Sequence, residues 1–552
     1  MIKQKVFLVI FCLGFLFLAN NKVFAEVEGQ TNVFYVEKNY DIQQREQVLA
    51  TLVKISQQAY FYVDSFWYQN LTEQERGVVN QNLASLSESF DKEIYPKLTG
   101  FWGTEWKPGI DNDFRITIFF QEMVDGAAGY FNDGDEYSKQ QSPKSNEREM
   151  VYLSAEYLKG SLIKSYLAHE FTHLISFNQK DRQRGVSEET WLSESRAEYS
   201  ISYLGYDEVQ KITNLQQRIK QFSQSPSDSL VSWLSKESDY GIITVFINYL
   251  AEKYGSDILV KSLASPKVGI DSLNEALQSK SASKDLFGIF SDWAVAVLLN
   301  DCSLGEAYCY KSQNLQGLRI APSLVVLPST GQTNLSLSYV LAPWSSAWYR
   351  FIGSEGDLNL SFNTDSLAVF NLPYVLCEKQ GGCQIFSLNF SQSQEQKLII
   401  QDFSQKYLSL TLVPSVKSRY GNMEATGFNF SVLIEAQNAR SQEDLIAQLQ
   451  AKIEILKAEI AKVQAKLASL GQKGNVCSLF QNNLYFGLKS EQVKCLQEFL
   501  KSQGEAVYPQ GIVSGYFGIL TKAAVIKFQE KYAIPSTGYV GALTRAKINQ
   551  LL

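Results

Sequence analysis

YLAHEFTHLISF, residues 166–177, holds both histidines of a 552-residue chain, His169 and His173, with Glu170 directly after the first. It sits within SLIKSYLAHEFTHLISFNQ, where Leu162, Ile163, Tyr166, Leu167, Leu174 and Ile175 recur at helical spacing. Positions i and i+4 project from one helical face. His169 and His173 are therefore expected to offer two ring nitrogens to one ion, with Glu170 reaching a water beside it as a base. This is the H-E-x-x-H pattern of zinc sites. The plainer alternative is two unrelated histidines on a buried helix. It requires the chain's only two histidines to fall four apart by accident, with a glutamate between them.

Catalytic zinc takes three protein ligands and leaves a fourth position open. No third histidine exists, and the cysteines read as paired, so a carboxylate remains. EETWLSESRAEYSISYLG (188–205) is the next helical stretch. Glu194 and Glu198 lie one turn apart on one face of it. Glu194 is the expected metal ligand, and Glu198 could accept the second N–H of a zinc histidine and hold its tautomer. Glu188 and Glu189 stay open as rival ligands, and a solvated acidic face is the alternative for all of them. Hydrolysis also wants a donor for the developing oxyanion. With no histidine to spare, a tyrosine hydroxyl is the replacement. Tyr240, at the start of the following helix, is the candidate, against a packed core aromatic.

HEFTH followed by WLSESRAEY resembles the gluzincin metallopeptidases, in which H-E-x-x-H precedes W-L-x-E on a later helix. The nearest likeness is to hyicolysin-type and immune-inhibitor-A-like secreted bacterial enzymes. DYGIITVFINYLAEKYG (239–255) is similar to their helix after the site. The resemblance covers about 110–260, while 26–105 is read only by continuity. It implies Glu170 as base, Glu194 as third ligand, Zn2+ as cofactor and a protein or peptide substrate. Ser195-Arg196 departs from the Gly and apolar residue usual after the ligand, which bears on pocket shape.

The ends of the chain point outside the cell. Lys3 and Lys5 precede an apolar run from Val6 to Leu18, and Val23-Phe24-Ala25 offers a cleavage site. Residues 1–25 read as a bacterial secretory signal peptide, with an uncleaved anchor as alternative. Loss of Lys3, Lys5 and Lys22 takes the formal charge from −6 to −9. A chain so acidic is no general nucleic-acid binder. Six cysteines remain after cleavage, in near pairs: Cys302 with Cys309, Cys377 with Cys383, Cys477 with Cys495. Three disulfides are expected.

The fold class expected is multidomain. Residues 26–300 form an α+β zincin-like catalytic domain, with strands in DFRITIFF (113–120) and MVYLS (150–154) and helices near 160–178, 190–204, 239–254 and 284–299. Between the two strands lies a loop bearing Asp125, Asp133, Asp135 and Glu136. It has oxygen ligands for Ca2+ but not the EF-hand spacing, so a solvated loop is the plainer reading; its GAAGYF is a candidate wall of the substrate cleft. Residues 301–438 carry short alternating segments such as SLVVL, AWYRFIG and YLSLTLV, the pattern of a β-sandwich. Residues 441–472 place Ile446, Ile453, Ile460 and Leu467 at one heptad position and Leu449, Leu456, Val463 and Leu470 at the other. This favours a coiled-coil homodimer, with a lone helical spacer as alternative.

Residues 475–552 resemble the small α-helical peptidoglycan-binding-like domain of bacterial wall hydrolases. The residues that carry the likeness are Leu484 and Gly487; Val493, Leu496 and Gln497; Gly515-Tyr516-Phe517-Gly518 and Thr521; Ala524-Val525 and Phe528-Gln529; and Gly538, Gly541 and Thr544. The resemblance implies a cell-wall partner, with a packing module as alternative. Three readings follow for the whole: a secreted or envelope-associated zinc endopeptidase, a peptidoglycan peptidase, and a non-enzymatic surface protein with a structural zinc.

Overall fold

The computed structural model describes residues 26–160, 162–207, 213–328, 333–354, 356–364, 368–388, 390, 395–418, 426–435, 450, 453–462 and 479–552. The signal peptide expected at 1–25, Cys477 and most of the heptad segment lie outside the described residues.

Three strands are buried along their whole length: β3 (Ala59–Asp64), β4 (Ile116–Gln121) and β6 (Met150–Ser154). A strand apolar on both sides needs cover on both faces, as central parallel strands have. They pair in parallel as β3-β4-β6. Strands β1 (Thr31–Tyr35) and β2 (Gln47–Ile55) extend the sheet antiparallel on one side, and β5 (Gly129–Phe131) closes the other edge against β6, giving the order β1-β2-β3-β4-β6-β5. One face, with Phe61, Val63, Ile118, Phe120, Val151 and Leu153, joins the main helical core. The other face buries Phe34, Tyr62, Phe119, Tyr130 and Tyr152 in a cluster of its own.

The region read only by continuity supplies β1–β3 and helices α1 (Ser65–Asn70), α2 (Glu73–Ser89) and α3 (Tyr95–Trp102). It builds three of the six strands, so it is part of the sheet that carries the site. Helix α4 (Ile163–Phe177) packs against β5 and β6 and holds both histidines. Next come α5 (Thr190–Tyr203), α6 (Asn214–Gln224), α7 (Glu237–Tyr254), α8 (Asp257–Ala264), α9 (Gly269–Ser279) and α10 (Leu286–Leu299). In α10 only Gly288 and Leu299 escape burial, so it forms the middle of the helical part.

The β-sandwich follows: β7 (Ser323–Leu327), β8 (Thr333–Leu341), β9 (Ser345–Ser346), β10 (Tyr349–Gly353), β11 (Asp357–Thr364), β12 (Ala368–Glu378), β13 (Cys383–Leu388), β14 (Glu395–Ile400), β15 (Tyr407–Leu412), β16 (Ser415–Ser418) and β17 (Thr426–Glu435). One sheet runs β7-β10-β15-β12-β16-β9 with β13 on β12, the other β14-β11-β17-β8. Phe351, Leu372, Leu410 and Leu412 of the first meet Leu358, Leu360 and Phe362 of the second. The sandwich does not stand apart from the helices. Trp344 and Trp348 belong to the helical core, and the Trp348 indole donates to the Ala294 carbonyl (2.8 Å). The compact units accordingly divide at 440/441, while the 300/301 boundary separates types of element within one unit. Disulfides join Cys302 to Cys309 and Cys377 to Cys383. Cys495 is also disulfide-bonded.

In the second unit, helix 453–462 exposes Ile453, Leu456 and Ile460. The tail has helices Glu491–Ser502, Ile519–Lys531 and Ala542–Leu551, the last of them not expected from the sequence. Two buried glutamines organise it in the same way. Gln497 donates to Tyr516 O and Thr521 Oγ1 and accepts from the Ser514 and Gly515 amides. Gln529 donates to Tyr539 O and Thr544 Oγ1 and accepts from the Gly538 amide. SGYFGILT (514–521) and TGYVGALT (537–544) are thus two copies of one turn, each clamped by a glutamine. Among the described residues no helix is long and apolar enough to cross a membrane.

Trp348→Ala removes a buried indole and its hydrogen bond where the sandwich meets the helices. A loss of about 3–5 kcal/mol in unfolding free energy is expected from chemical denaturation.

Candidate metal centre

Helix α4 turns Leu167, Phe171, Leu174 and Ile175 into the core, leaving His169, Glu170 and His173 at the cleft beneath the sheet edge. Helix α5 packs beside it. Thr172 Oγ1 donates to Ser200 Oγ (2.8 Å), and Ser200 Oγ also accepts from the Trp102 indole (2.8 Å). These contacts fix the two helices so that Glu194 faces the histidines.

The donor atoms converge. His169 Nε2 and His173 Nε2 are 3.2 Å apart. Glu194 Oε2 is 3.1 Å from His169 Nε2, and Glu194 Oε1 is 3.6 Å from His173 Nε2. Tetrahedral donors about 2.0–2.1 Å from one ion lie about 3.3 Å from each other. The three closest separations, two of them to different oxygens of Glu194, lie around that value, so the residues suit a zinc ion. Among the described residues this is the one group of three or more acidic, histidine or cysteine donors close enough to share a metal.

Each histidine has its other nitrogen held. Ser193 Oγ lies 3.2 Å from His173 Nδ1. Glu198 Oε1 lies 3.5 Å from His169 Nδ1. Protons on both Nδ1 atoms leave two Nε2 lone pairs and a carboxylate pointing at one spot, an arrangement that a cation relieves. Glu198 is 1 % exposed and heavily supported. Arg218 donates to both its oxygens (Nη2–Oε1 2.6 Å, Nε–Oε2 3.0 Å), Asn214 Nδ2 donates to Oε2 (2.7 Å), and Thr244 Oγ1 approaches Oε2 at 3.1 Å. Burial would raise the Glu198 pKa, but Arg218 and the other partners outweigh it and hold the carboxyl below its ordinary range. Glu194 behaves likewise: burial opposes ionisation, and the two histidines more than compensate, keeping it well below the usual carboxylate range.

Glu188 and Glu189, the rival ligands, are engaged elsewhere. Glu188 accepts from Arg196 Nη1 (2.7 Å) and the Gly269 amide (2.6 Å), and Glu189 accepts from the Trp191 indole (2.5 Å). The Ser195-Arg196 departure has the same explanation. Arg196 is fully buried and neutralises Glu188, with Ser262 on its other nitrogen.

Glu170 is 6 % exposed, and burial pushes its carboxyl up to about 8; His173 opposes the shift while Glu194 and Glu198 add to it. Its side chain lies against Gly129 of β5. A Cβ there would stand 2.9 Å from Glu170 Cγ and Oε1 and 2.7 Å from Tyr152 O, so the edge strand is shaped around this glutamate. The Ser154 amide donates to Ala128 O, and Tyr130 pairs with Tyr152. In an antiparallel ladder, Gly129 and Phe131 then turn their backbone groups to the open edge, beside the metal site.

Tyr240 lines the cleft of about 520 Å³ with the three donors and Glu170. Its ring stands 4.4 Å from the Arg218 guanidinium carbon and edge-on to Trp233. Burial, Glu194 and other acids raise its pKa, so it stays a donor at working pH. Tyr40 and Glu37 also line the cleft, and neither was singled out from sequence. Tyr40 stacks on Tyr130, which stacks on Tyr152 (centroids 4.7 and 4.2 Å), carrying a second hydroxyl to the rim. Burial raises its pKa, and Glu170, Glu194 and Glu37 add to the shift. No local pattern announces such a residue, because it comes from a loop after β1, far ahead of His169 in the chain.

The acidic loop is not the solvated loop expected. Asp135 and Glu136 are buried, the Tyr152 hydroxyl donates to Asp135 Oδ2 (2.6 Å), and burial takes Asp135 to about 7. Asp125 and Asp133 stay exposed, so its four acids gather no calcium cluster comparable to the histidine site. GAAGYF does reach the cleft, through Gly129, Tyr130 and Phe131.

Fold and site together present a two-histidine, one-glutamate donor set with a buried carboxylate beside it, on a mixed sheet with an open edge. The chain is a weak homologue of "Neutral metalloprotease ShpI" of Staphylococcus hyicus, 24% identical over 239 residues that cover 39% of this chain and 52% of that protein. It therefore spans about half the length of that relative. Residues 489–548 match the putative peptidoglycan binding domain family. Solved structures with some likeness include the Yersinia pseudotuberculosis-derived mitogen (9% identity, 20% of this chain and 92% of that chain, TM-score 0.14) and Aeromonas hydrophila PliG, a periplasmic lysozyme inhibitor of g-type lysozyme (11%, 21% and 100%, 0.15). TM-scores so low carry no argument.

Glu198→Gln keeps the shape but removes the charge that steadies His169. Zinc affinity is expected to fall about 10–100-fold in a competition titration against a chelating dye, with the fold retained.

Proposed function

We propose that this chain is an exported zinc endopeptidase whose tail attaches it to the cell wall. The observation that carries the reading is the convergence of His169, His173 and Glu194 at 3.1–3.6 Å, with Glu170 buried beside them against the open edge of β5. Homology to a neutral metalloprotease supports the reaction class.

Zn2+ bound by His169, His173 and Glu194 supplies Lewis-acid activation of a water and a carbonyl near neutral pH. The chain's own groups do the rest. The outward backbone groups of Gly129 and Phe131 hold an extended substrate as an added strand. Glu170 takes a proton from the attacking water as the C–O bond forms, then returns it to the amine as the C–N bond breaks. The hydroxyls of Tyr240 and Tyr40 are donors for the carbonyl oxygen as it gains charge. A purely structural zinc needs no base in this position, which disfavours the non-enzymatic reading.

The tail presents Tyr485, Tyr516 and Tyr539 at its surface, with Tyr485 and Tyr539 rings 6.4 Å apart and near parallel. Such faces suit sugars, and we assign the tail to wall binding. The full chain is expected to sediment with purified peptidoglycan, and Tyr485→Ala with Tyr539→Ala to release it into the supernatant.

Two assays test the reaction. Casein and cross-linked peptidoglycan are offered to wild type and to Glu170→Gln. Casein cleavage falling about 10²–10⁴-fold in the variant, with zinc retained, is expected. Release of wall peptides alone would move the assignment to a peptidoglycan peptidase. The pH profile is the second. A base works deprotonated, so kcat/KM rises with pH through the Glu170 titration. Its surroundings place that titration at about 8, and the charge of the metal draws it lower. The acid limb is expected between the ordinary carboxylate range and that value.

A further inference from the structure

Beside the metal cleft lies a larger cavity, of about 1180 Å³. The two share the lining residues Ser187 and Thr190, so the cleft and the cavity adjoin along that wall. Its walls come from two parts of the fold. Val231, Trp233, Val268 and Ile270 belong to the helical part, and Trp344 and Val369 to the sandwich. The rim carries charges of both signs that already have partners: Lys417 with Asp285 (3.4 Å) and Lys267 with Glu275 (3.3 Å).

The walls are held rather than loose. The Leu230 amide donates to Trp344 O (2.8 Å), Ser229 Oγ donates to Pro343 O (2.6 Å), and the Trp344 amide donates to Val416 O (2.6 Å). The Trp344 ring is wedged edge-on against Phe287 and Phe290. A cavity so fixed before any ligand arrives costs little to organise on binding. It exceeds the roughly 300–1,000 Å³ of small-molecule sites and is lined mainly by apolar groups. It suits a stretch of chain better than a compact polar molecule.

We infer that this cavity is an extension of the substrate cleft, taking apolar residues of the polypeptide on the side of the scissile bond that passes Ser187 and Thr190. The inference rests on the peptidase reading for what passes through the cleft, and on the shared wall for its route. It gives the sandwich a task. Trp344 and Val369 make one wall of a selectivity pocket for a site whose chemistry lies outside the sandwich. A full-length protein substrate with apolar side chains flanking the cut is then preferred over a short peptide.

The test uses the full chain and matched peptides: one spanning only the immediate neighbours of a mapped casein cut, the others lengthened by apolar residues on one side or the other. Lengthening on one side is expected to raise kcat/KM at least tenfold, as burying one large apolar side chain would. Val369→Asp and Ile270→Asp, on opposite walls, are each expected to erase that gain, so the ratio of long to short falls toward one. A wild-type ratio near one, or a gain that survives both variants, overturns the inference. A second arm is independent of turnover. Affinity of the lengthened peptide for the Glu170→Gln protein, read by fluorescence anisotropy, should drop at least tenfold when Val369→Asp is added. If wild type cleaves neither casein nor any peptide, the peptidase reading fails, and the binding arm, run with a labelled apolar casein peptide chosen without reference to a cut, still decides for or against the cavity. Undiminished binding in the double variant refutes it.

Discussion

Two imidazole nitrogens and a carboxylate face one another at 3.1–3.6 Å in a buried spot, and such a cluster needs compensation, from a proton held between them or from a cation. That requirement organises the surrounding structure. Glu198 and Ser193 hold the far nitrogens of the histidines, and Arg218, Asn214 and Thr244 hold Glu198. Arg218 comes from α6 and Thr244 from α7, so helices distant in sequence are tied to the orientation of one imidazole. The chain of support is charged and buried, and every member in it has a partner, the condition under which such a network adds order rather than strain.

The sheet meets this network from the other side. Gly129 is where β5 approaches Glu170, and a side chain there would occupy the carboxylate's place. The open edge of β5 and the Glu170 carboxylate are therefore one construction: the edge strand is also the wall that buries Glu170. That burial is what raises its pKa. The N-terminal strands belong to the same construction. They carry Tyr40 and Glu37 to the cleft, and Tyr130 and Tyr152 fix the Tyr40 ring from beneath.

Much of this was legible locally and little of it globally. Helical periodicity alone puts His169 with His173 and Glu194 with Glu198, because i and i+4 share a face whatever the tertiary structure. Alternation in residues 323–435 reveals strands for the same reason, and MVYLS is a strand from end to end. The disulfides Cys302–Cys309 and Cys377–Cys383 join neighbours in sequence. What escaped depends on contacts between distant segments. Strand β5 has three residues and exists only through its register with β6. Arg218 and Asn214 are ordinary polar residues of an amphipathic helix until Glu198 is placed beside them. The docking of the sandwich through Trp344 and Trp348 has no periodic signal at all. In the tail, the repeated turn is written in the sequence as SGYFGILT and TGYVGALT, and the second copy marks the helix Ala542–Leu551, which its own short pattern does not reveal.

The most direct measurement is a crystal structure of the full chain with data collected on both sides of the zinc absorption edge. The expected anomalous map has one strong peak within bonding distance of Nε2 of His169, Nε2 of His173 and a carboxylate oxygen of Glu194, with Glu170 outside the ligand sphere. A peak held by other residues, by Glu188 or Glu189 in place of Glu194, or no zinc in protein saturated with it, would contradict the assignment of this centre.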